Sequence, residues 1–341
     1  MKAVTITAFG DVDHLELRNV EDPVAAPGEI VLDVRAAALN HLDIWVRQGA
    51  KDQLPLPWIP GSDAAGTIAA VGEGVDGWDV GQSVVLNAGL DRSEPHPPPA
   101  RENALTRGII GLSRSGTFAK KVAVPAWCLH PKPQHLSYGQ AAALALDHLT
   151  AWRMIFSRAQ LQPGETVLIH GIGGGAALAA LQWTTLAGGR AIVTSSSDEK
   201  LNRARQLGAE TGINYQSSED VAQAVRDATA GRGADVAIDS VGAATWPINF
   251  QAVRPGGRIV HCGVTTGKET TVNIQHLYWN QLSVLGSTMG SQEEFADMLR
   301  AVNAAALEPV IDSTWKLDDI REATRHLEAG QQFGKVVIEM Q

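Results

Sequence analysis

Residues 165–200 read ETVLIHGIGGGAALAALQWTTLAGGRAIVTSSSDEK, and the fold turns on how they are parsed. Thr166–His170 is a short apolar run, as expected of a strand buried on both faces. Gly171-Ile172-Gly173-Gly174-Gly175 breaks it, and Ala176–Leu186 has the composition of a good helix. Gly188-Gly189 stops that helix, and a second apolar run, Arg190–Thr194, follows. Strand, glycine turn, helix and strand in that order form a parallel crossover unit. Glycines at such a turn let the backbone approach a pyrophosphate, and the helix start supplies free N–H groups and a positive dipole end. Two registers of the dinucleotide fingerprint fit equally, Gly171-x-Gly173-x-x-Ala176 and one ending at Gly174-x-x-Ala177.

The end of the second strand bears on which dinucleotide is bound. Units that hold an unphosphorylated ribose place an Asp or Glu about 20 residues past the glycines. Here that position falls on Thr194–Ser196, where no acid stands. Ser195, Ser196 and Ser197 are followed by Asp198, Lys200 and Arg203. Hydroxyls and cations without a carboxylate suit a 2′-phosphate, so NADP(H) is the expected cofactor. Capping of the next helix by Ser197 or Asp198 is the plainer use of the same residues, and the two uses are compatible.

The whole chain narrows the class. Its 341 residues allow two domains with real cores. A net charge of −9 argues against a nucleic-acid partner. Two cysteines, Cys128 and Cys262, point to a reducing, cytoplasmic location. The opening MKAVTITAFG reads as a strand without signal-peptide anatomy, and no apolar run is long enough to span a membrane, so no membrane partner is expected.

Residues 1–125 differ from the centre: short strands broken by glycine and proline suggest a β-barrel-like module. Strands are expected at Lys2–Ala8, Leu15–Val20, Glu29–Ala37, Ala65–Val71 and Ser83–Asn87, with one helix at Asn40–Gln48. Pro95, Pro97, Pro98 and Pro99 make 91–111 an extended loop. Ser137–Phe156 is helical in two pieces. Beyond Lys200, strands at Gly212–Tyr215, Asp235–Ser240, Gly257–Cys262 and Leu282–Ser287 alternate with helices and complete six strands of one doubly wound sheet. Helices at Gln292–Ala306 and Leu317–Ala329 and a strand at Lys335–Met340 end the chain.

Four phrases carry a family resemblance: Pro27-Gly28-Glu29, Asn40-His41-Leu42-Asp43-Ile44-Trp45-Val46-Arg47-Gln48-Gly49, Pro60-Gly61-Ser62-Asp63-Ala64-Ala65-Gly66 and Val71-Gly72-Glu73-Gly74-Val75. Together with the order of elements they resemble the medium-chain dehydrogenase/reductase superfamily, and within it the zinc-free quinone oxidoreductase branch and its zinc-alcohol-dehydrogenase-like neighbours. The resemblance implies an α/β protein: a chaperonin-10-like barrel over 1–146 and 289–341, and a Rossmann domain over 147–288. It also implies a homodimer joined near Leu282–Ser287.

Zinc members place a catalytic Cys where this chain has Asn40, a His at Ser62, a Glu at Asp63, and a Cys or Asp at Leu146, one residue before Asp147. Asn, Ser and Leu do not make a tetrahedral N/S site, and Asp91–Gly111 has none of the four cysteines of the structural-zinc lobe. No zinc is therefore expected. A different metal site built from His41, Asp43, Asp63, Asp147 and His148 is the competing arrangement. Asp43 alternatively makes a structural hydrogen bond, and His148 is alternatively a partly buried imidazole at a helix start.

For the cofactor, the resemblance brings in Lys200 and Tyr215 around the adenosine phosphate and Thr150 beside the nicotinamide, with a helix-packing threonine as the alternative role for Thr150. Lys335 either reaches the cofactor phosphates or is a solvated strand start. Strand ends add Val241, Cys262, Val264 and Met289 to the cofactor set. The expected chemistry is NADPH-dependent hydride transfer to a small electrophile, a quinone or an α,β-unsaturated carbonyl, with Asn40 and Thr150 as the nearest donors. The proton comes from His41 or from solvent. Trp45 and Trp58 are candidate walls for a flat substrate. Two other readings are an alcohol or aldehyde dehydrogenase of the zinc type and a non-enzymatic NADPH-binding protein.

Overall fold

The structure, a computed structural model, describes residues 1–49, 54–90 and 108–340. It divides into two compact units, one formed by 1–149 with 289–341 and the other by 150–288.

The first unit opens with β1 (Lys2–Ile6) and β2 (Leu15–Asn19), an antiparallel pair. Strands β3 (Glu29–Ala38), β4 (Asp63–Val71), β5 (Ser83–Leu86), β6 (Lys121–Pro125) and β7 (Leu129–Pro131) follow, with helix α1 (His41–Arg47) between β3 and β4. Helix α2 (Tyr138–Trp152) then runs into a π-helical stretch, Arg153–Arg158, which is why that helical region falls into two pieces.

The second unit is the crossover fold expected from 165–200. Strands β8 (Thr166–Ile169), β9 (Arg190–Ser195), β10 (Ala209–Asn214), β11 (Ala234–Asp239), β12 (Val253–His261) and β13 (Ser283–Gly286) form one parallel sheet in the order β10-β9-β8-β11-β12-β13. All four residues of β8 and all six of β11 are buried, as strands covered on both faces must be. The crossings are made by α3 (Gly175–Leu186), α4 (Asp198–Gln206), α5 (Val221–Ala228), α6 (Trp246–Ala252) and α7 (Ile274–Trp279). The chain leaves β8 toward β9 and β10, then returns to β11 on the other side. This reversal is the switch point at which doubly wound sheets bind ligands, beyond the carboxyl ends of the strands.

The final segment returns to the first unit as α8 (Gln292–Ala305), β14 (Ile311–Lys316), α9 (Ile320–Glu328) and β15 (Lys335–Glu339). Its strands extend a seven-stranded sheet in the order β14-β15-β3-β4-β5-β7, with β6 also on β3. β14 was not anticipated. Its sequence, IDSTWK, has no buried face and no clean alternation, and it is held by parallel pairing with β15. Phe118, Ile6, Leu39, Ile320 and Ile338 meet in the core that α9 covers. Among the described residues, no helix is long and apolar enough to cross a membrane.

Candidate functional site

At the end of β8 the backbone turns through Gly171 at φ 70° and Gly173 at φ 124°, conformations that residues with a Cβ rarely adopt. Gly174 is the N-cap of α3 and brings no side chain to satisfy the first-turn N–H groups. Those donors face an open helix start, which is anion-binding chemistry made from backbone alone. Gly175 is the first helical residue; Ala176 is half-buried and Ala177 buried. The register ending at Ala177 therefore places its small residue on the packed face of the helix. A Cβ added to Gly171 would stand 3.1 Å from Val241 Cγ2, so the turns after β8 and β11 abut at the switch point.

The end of β9 carries hydroxyls in place of an acid. Ser195 is buried and its Oγ accepts from Ser197 N at 3.2 Å. Ser196 is exposed, and Ser197 caps α4 by accepting from Lys200 N at 3.3 Å. The capping use of Ser197 is thus real. Tyr215 N donates to Ser195 O at 3.1 Å, which sets Tyr215, half exposed, beside the serine run. Asp198 Oδ1 accepts from Asn214 Nδ2 at 2.8 Å. Lys200 and Tyr215 flank one strand-end shelf with Ser195–Ser197.

Beneath the two abutting turns lies a polar network that sequence reading did not single out. Buried His170 reaches Thr194 Oγ1 (3.1 Å) through Nδ1 and Asn249 Oδ1 (2.9 Å) through Nε2. Asn249 Nδ2 in turn donates to Asp239 Oδ2. Asp239 Oδ1 accepts from Val241 N (2.7 Å) and Gly242 N (3.1 Å), which shapes the turn after β11. Burial holds the His170 imidazole below its ordinary pKa, against the pull of Asp239 and Asn249. Cys262 N donates to Asp239 O at 3.0 Å, and Gly242 lies against the backbone of Val264, 39% exposed. Val241, Cys262 and Val264 therefore line neighbouring strand ends. Thr150, also in this unit, is buried.

The first unit holds a different kind of centre. Lys335, the first residue of β15, is buried, and its Nζ donates to Asn40 Oδ1 (2.6 Å), Asp63 Oδ2 (3.0 Å) and Asp147 Oδ2 (2.9 Å). Burial works against this ammonium, but Asp147 and Asp63 overcome it and hold its pKa above the usual lysine value. Asn40 Nδ2 donates to Asp63 Oδ2 at 3.0 Å, and Asp63 Oδ1 accepts from Leu146 N at 2.9 Å. Asp63, fully buried, is the hub. Burial raises its pKa, opposed chiefly by Lys335.

Three expectations change here. Lys335 is not a solvated strand start, and its ammonium faces three oxygens of its own unit in place of cofactor phosphates. Asn40 directs its amide to Asp63 and Lys335, so it presents no free donor to a substrate in this arrangement. His148 lies in the body of α2, not at a helix start; it is buried, and desolvation pushes its pKa down to about 4.

Asp43 accepts from Asn40 N at 2.8 Å, the structural bond foreseen as its alternative role. Desolvation raises its carboxyl to about 7, with the Asn40 and Gly61 backbone groups acting against the shift. His41 is half-buried near Trp45, their rings 6.5 Å apart. Burial lowers its pKa, which favours the neutral imidazole over an imidazolium acid. Trp58 donates from Nε1 to Gly111 O at 2.8 Å and packs on the core of this unit. Met289 belongs to this unit too, buried beside Gly89.

The residues at the expected zinc positions do not suit zinc. Ser62 Oγ donates to Ile110 O at 2.8 Å, Leu146 has no ligand atom in its side chain, and Asn40 is bonded to the ammonium. Among the described residues, no group of three or more His, Cys, Asp or Glu side chains is placed to hold a metal ion. Most of the 91–111 loop, residues 91–107, lies outside the described residues.

Comparison with known proteins agrees with this architecture. Residues 26–134 match the alcohol dehydrogenase GroES-like domain, and residues 175–304 match the zinc-binding dehydrogenase domain. The chain is 34% identical to a zinc-type alcohol dehydrogenase-like protein of Schizosaccharomyces pombe over 96% of each. It is 33% identical to a quinone oxidoreductase of Pseudomonas aeruginosa, over 88% of this chain and 85% of that one. A crystal structure described as an NAD-dependent alcohol dehydrogenase superposes over 100% of both chains with a TM-score of 0.92 and 38% identity. With both domain types present in order and full-length relatives above 30% identity, the chain belongs to the medium-chain dehydrogenase/reductase superfamily of oxidoreductases.

Proposed function

We propose that this chain is a zinc-independent, NADPH-dependent oxidoreductase that delivers hydride to a quinone or an α,β-unsaturated carbonyl. The observation that carries the reading is the donor set at Asn40, Ser62 and Leu146: an amide bound to an ammonium, a hydroxyl donating to a carbonyl, and an aliphatic side chain. Without a metal to polarise it, a simple alcohol is a poor hydride donor. A conjugated carbonyl needs less help, because its charge on hydride addition spreads onto an enolate or hydroquinone oxygen that hydrogen bonds can hold.

A bound nicotinamide supplies the hydride, and the protein's part is binding and orientation. The N–H groups at the start of α3 and the glycine turn at Gly171–Gly174 suit its pyrophosphate. Ser195, Ser196, Ser197, Lys200 and Tyr215 suit a 2′-phosphate, which a carboxylate at this strand end would repel. Thr150, buried at the start of this unit, is the residue proposed beside the nicotinamide. His41, shifted toward its neutral form, is a weak candidate acid, so the proton is assigned to solvent.

The test is NADPH oxidation against a panel of quinones, enones, aldehydes and alcohols, with and without a strong zinc chelator. Chelator-insensitive turnover of quinones or enones is expected. The second reading is favoured by the solved neighbour described as an NAD-dependent alcohol dehydrogenase. Zinc-dependent alcohol oxidation with NAD⁺ would establish that reading and end this one. Tight NADPH binding without turnover of any panel member would leave a binding protein.

A homodimer is proposed through β13, the last strand of the six-stranded sheet, whose outer edge is unpaired among the described residues. Val284 on it and Trp279, Tyr278 and Ile274 just before it are exposed. A second copy pairing along that edge would cover both backbone groups and apolar surface. Light scattering decides it: a wild-type dimer that Val284→Lys converts to monomer is expected, and a wild-type monomer overturns it.

A further inference from the structure

A positive charge buried among strands calls for an explanation, because desolvating an ammonium costs several kcal/mol unless its surroundings return it. Lys335 is 4% exposed at the side chain and Asp63 0%, while Asp147 is 16% exposed. The three donors of the ammonium meet three oxygens: Asn40 Oδ1, Asp63 Oδ2 and Asp147 Oδ2, all within 3.0 Å. These oxygens come from the N-cap of α1, the first residue of β4 and the body of α2. Asn40 and Asp63 stand at positions where zinc members carry metal-site residues, and Asp147 adjoins a third, Leu146.

We propose that the Lys335 ammonium is the resident cation of this site: it fills, from within the chain, the place that a metal ion would take among these positions. The inference deepens the zinc-independent reading and rests on it. Both oxygens of Asp63 are already engaged. Its Oδ1 accepts from Leu146 N, and its Oδ2 accepts from both Asn40 and Lys335. A zinc ion needs its oxygens at about 2.0–2.2 Å, so it would have to displace the ammonium and work against its charge. The same cation ties β15 to the start of α1, to β4 and to α2. One side chain thus does the cross-linking that a metal does elsewhere.

Removing the ammonium should expose what it neutralises. Two carboxylates and an amide oxygen would then converge on a vacancy, and an oxygen donor set of that kind suits Mn²⁺ better than zinc. The experiment compares wild type, Lys335→Met and Lys335→Met/Asp63→Asn by thermal melting, metal analysis and Mn²⁺ electron paramagnetic resonance. Wild type is expected to take up neither zinc nor Mn²⁺ from excess. Lys335→Met is expected to melt lower, to bind Mn²⁺ stoichiometrically and to regain melting temperature with it. The double variant, with charge balance restored, is expected to melt above the single variant and to lose the Mn²⁺ site.

Stoichiometric metal in wild type overturns the inference, as does a Lys335→Met protein that melts no lower than wild type. A double variant that melts below the single one overturns it too. Should Lys335→Met fail to fold, the double variant decides: cooperative melting supports the inference, and failure to fold overturns it. The two readings fail separately. Metal-free, active wild type alongside an unaffected Lys335→Met sinks only the resident cation, whereas zinc-dependent turnover of wild type sinks the zinc-independent function.

Discussion

The two units handle charge in opposite ways. In residues 150–288, the glycine-turn end of the cradle draws its positive character from partial charges, the N–H groups at the start of α3 behind a glycine-rich turn. In the unit of 1–149 and 289–341, whole charges are buried, one ammonium against two carboxylates and an amide. The cradle is held in shape by neighbours below it, through His170, Asn249 and Asp239, so its exposed side chains can change with little effect on folding. The buried cluster has no such slack. Each member is another's counter-ion or hydrogen-bond partner, and losing one strands the rest.

That contrast is most easily broken at Asp63. Truncation in Asp63→Ala leaves the Lys335 ammonium short of a buried counter-ion, and should destabilise the first unit by about 3–5 kcal/mol. Ser196→Ala, exposed on the cradle, should change stability by no more than ~0.5 kcal/mol. Denaturant unfolding of both variants measures the difference. Comparable small losses would mean that the cluster is not under the strain of buried charge argued for it.

The next effect is on pH. The folded Asp43 carboxyl is raised to about 7 from 3.8, chiefly by desolvation, with Asp63 nearby adding to the rise and Lys335 acting against it. A raised carboxyl keeps its proton in the folded state while the unfolded chain releases one. Its contribution is fully present below pH 3.8 and is lost as pH climbs through about 7. Asp43→Asn keeps an acceptor for Asn40 N and removes the titration, so the fall in stability between those limits should flatten. Some slope remains, because Asp63 is shifted in the same direction. Unfolding free energies across that window check the sign. A variant with a steeper fall would contradict the assignment.

How far the sequence was readable follows the same division. The cradle is local: strand, glycines, helix start and serine run all lie within residues 165–200, and each leaves a mark that a linear reading detects. β8 and β9 were legible for that reason, with limits only a residue off. The other four strands were found as well, though β10 starts three residues and β12 four residues before the limits read from sequence. The lysine cluster joins Asn40, Asp63, Asp147 and Lys335 from opposite ends of the chain. Sequence reading had all four residues in view, yet placed Lys335 either at the cofactor phosphates or in solvent, and joined the two aspartates only in a competing metal arrangement. Nothing in the linear pattern reveals that a lysine at a strand start points inward. His170 was likewise seen as the last residue of an apolar strand; only the fold brings Asn249, from α6, against it. A polar residue closing a buried strand was the available signal.

Cofactor choice tests the cradle at intermediate size. Losing a charge-assisted contact to a 2′-phosphate costs roughly 1.5–3 kcal/mol, about a tenfold to hundredfold change in affinity. Lys200→Ala should weaken NADPH by that factor and leave NADH nearly unchanged. Ser195→Asp should turn preference toward NADH, because a carboxylate at the end of β9 repels the phosphate and accepts from a ribose hydroxyl. Fluorescence titration of both cofactors into each variant measures this. Equal weakening of the two cofactors by Lys200→Ala would remove the phosphate shelf from the account.

The smallest effect separates capping from binding. Ser197 and Ser291 do the same local work in the two units. Ser197 Oγ accepts from Lys200 N at the start of α4, and Ser291 Oγ accepts from Glu294 N at the start of α8, both at 3.3 Å. Ser291 also has Glu294 reaching back to its own N–H at 2.8 Å, a complete capping box. Replacing either serine by alanine should cost ~1 kcal/mol of stability, the ordinary value of a lost cap. Only one of the caps adjoins the proposed phosphate shelf. Ser197→Ala should therefore also lower the preference for NADPH over NADH, while Ser291→Ala leaves that ratio where it was. If both variants lose stability and neither changes the ratio, Ser197 is a helix cap and nothing more, and the 2′-phosphate would have to be held by Ser195, Ser196, Lys200 and Tyr215 without it.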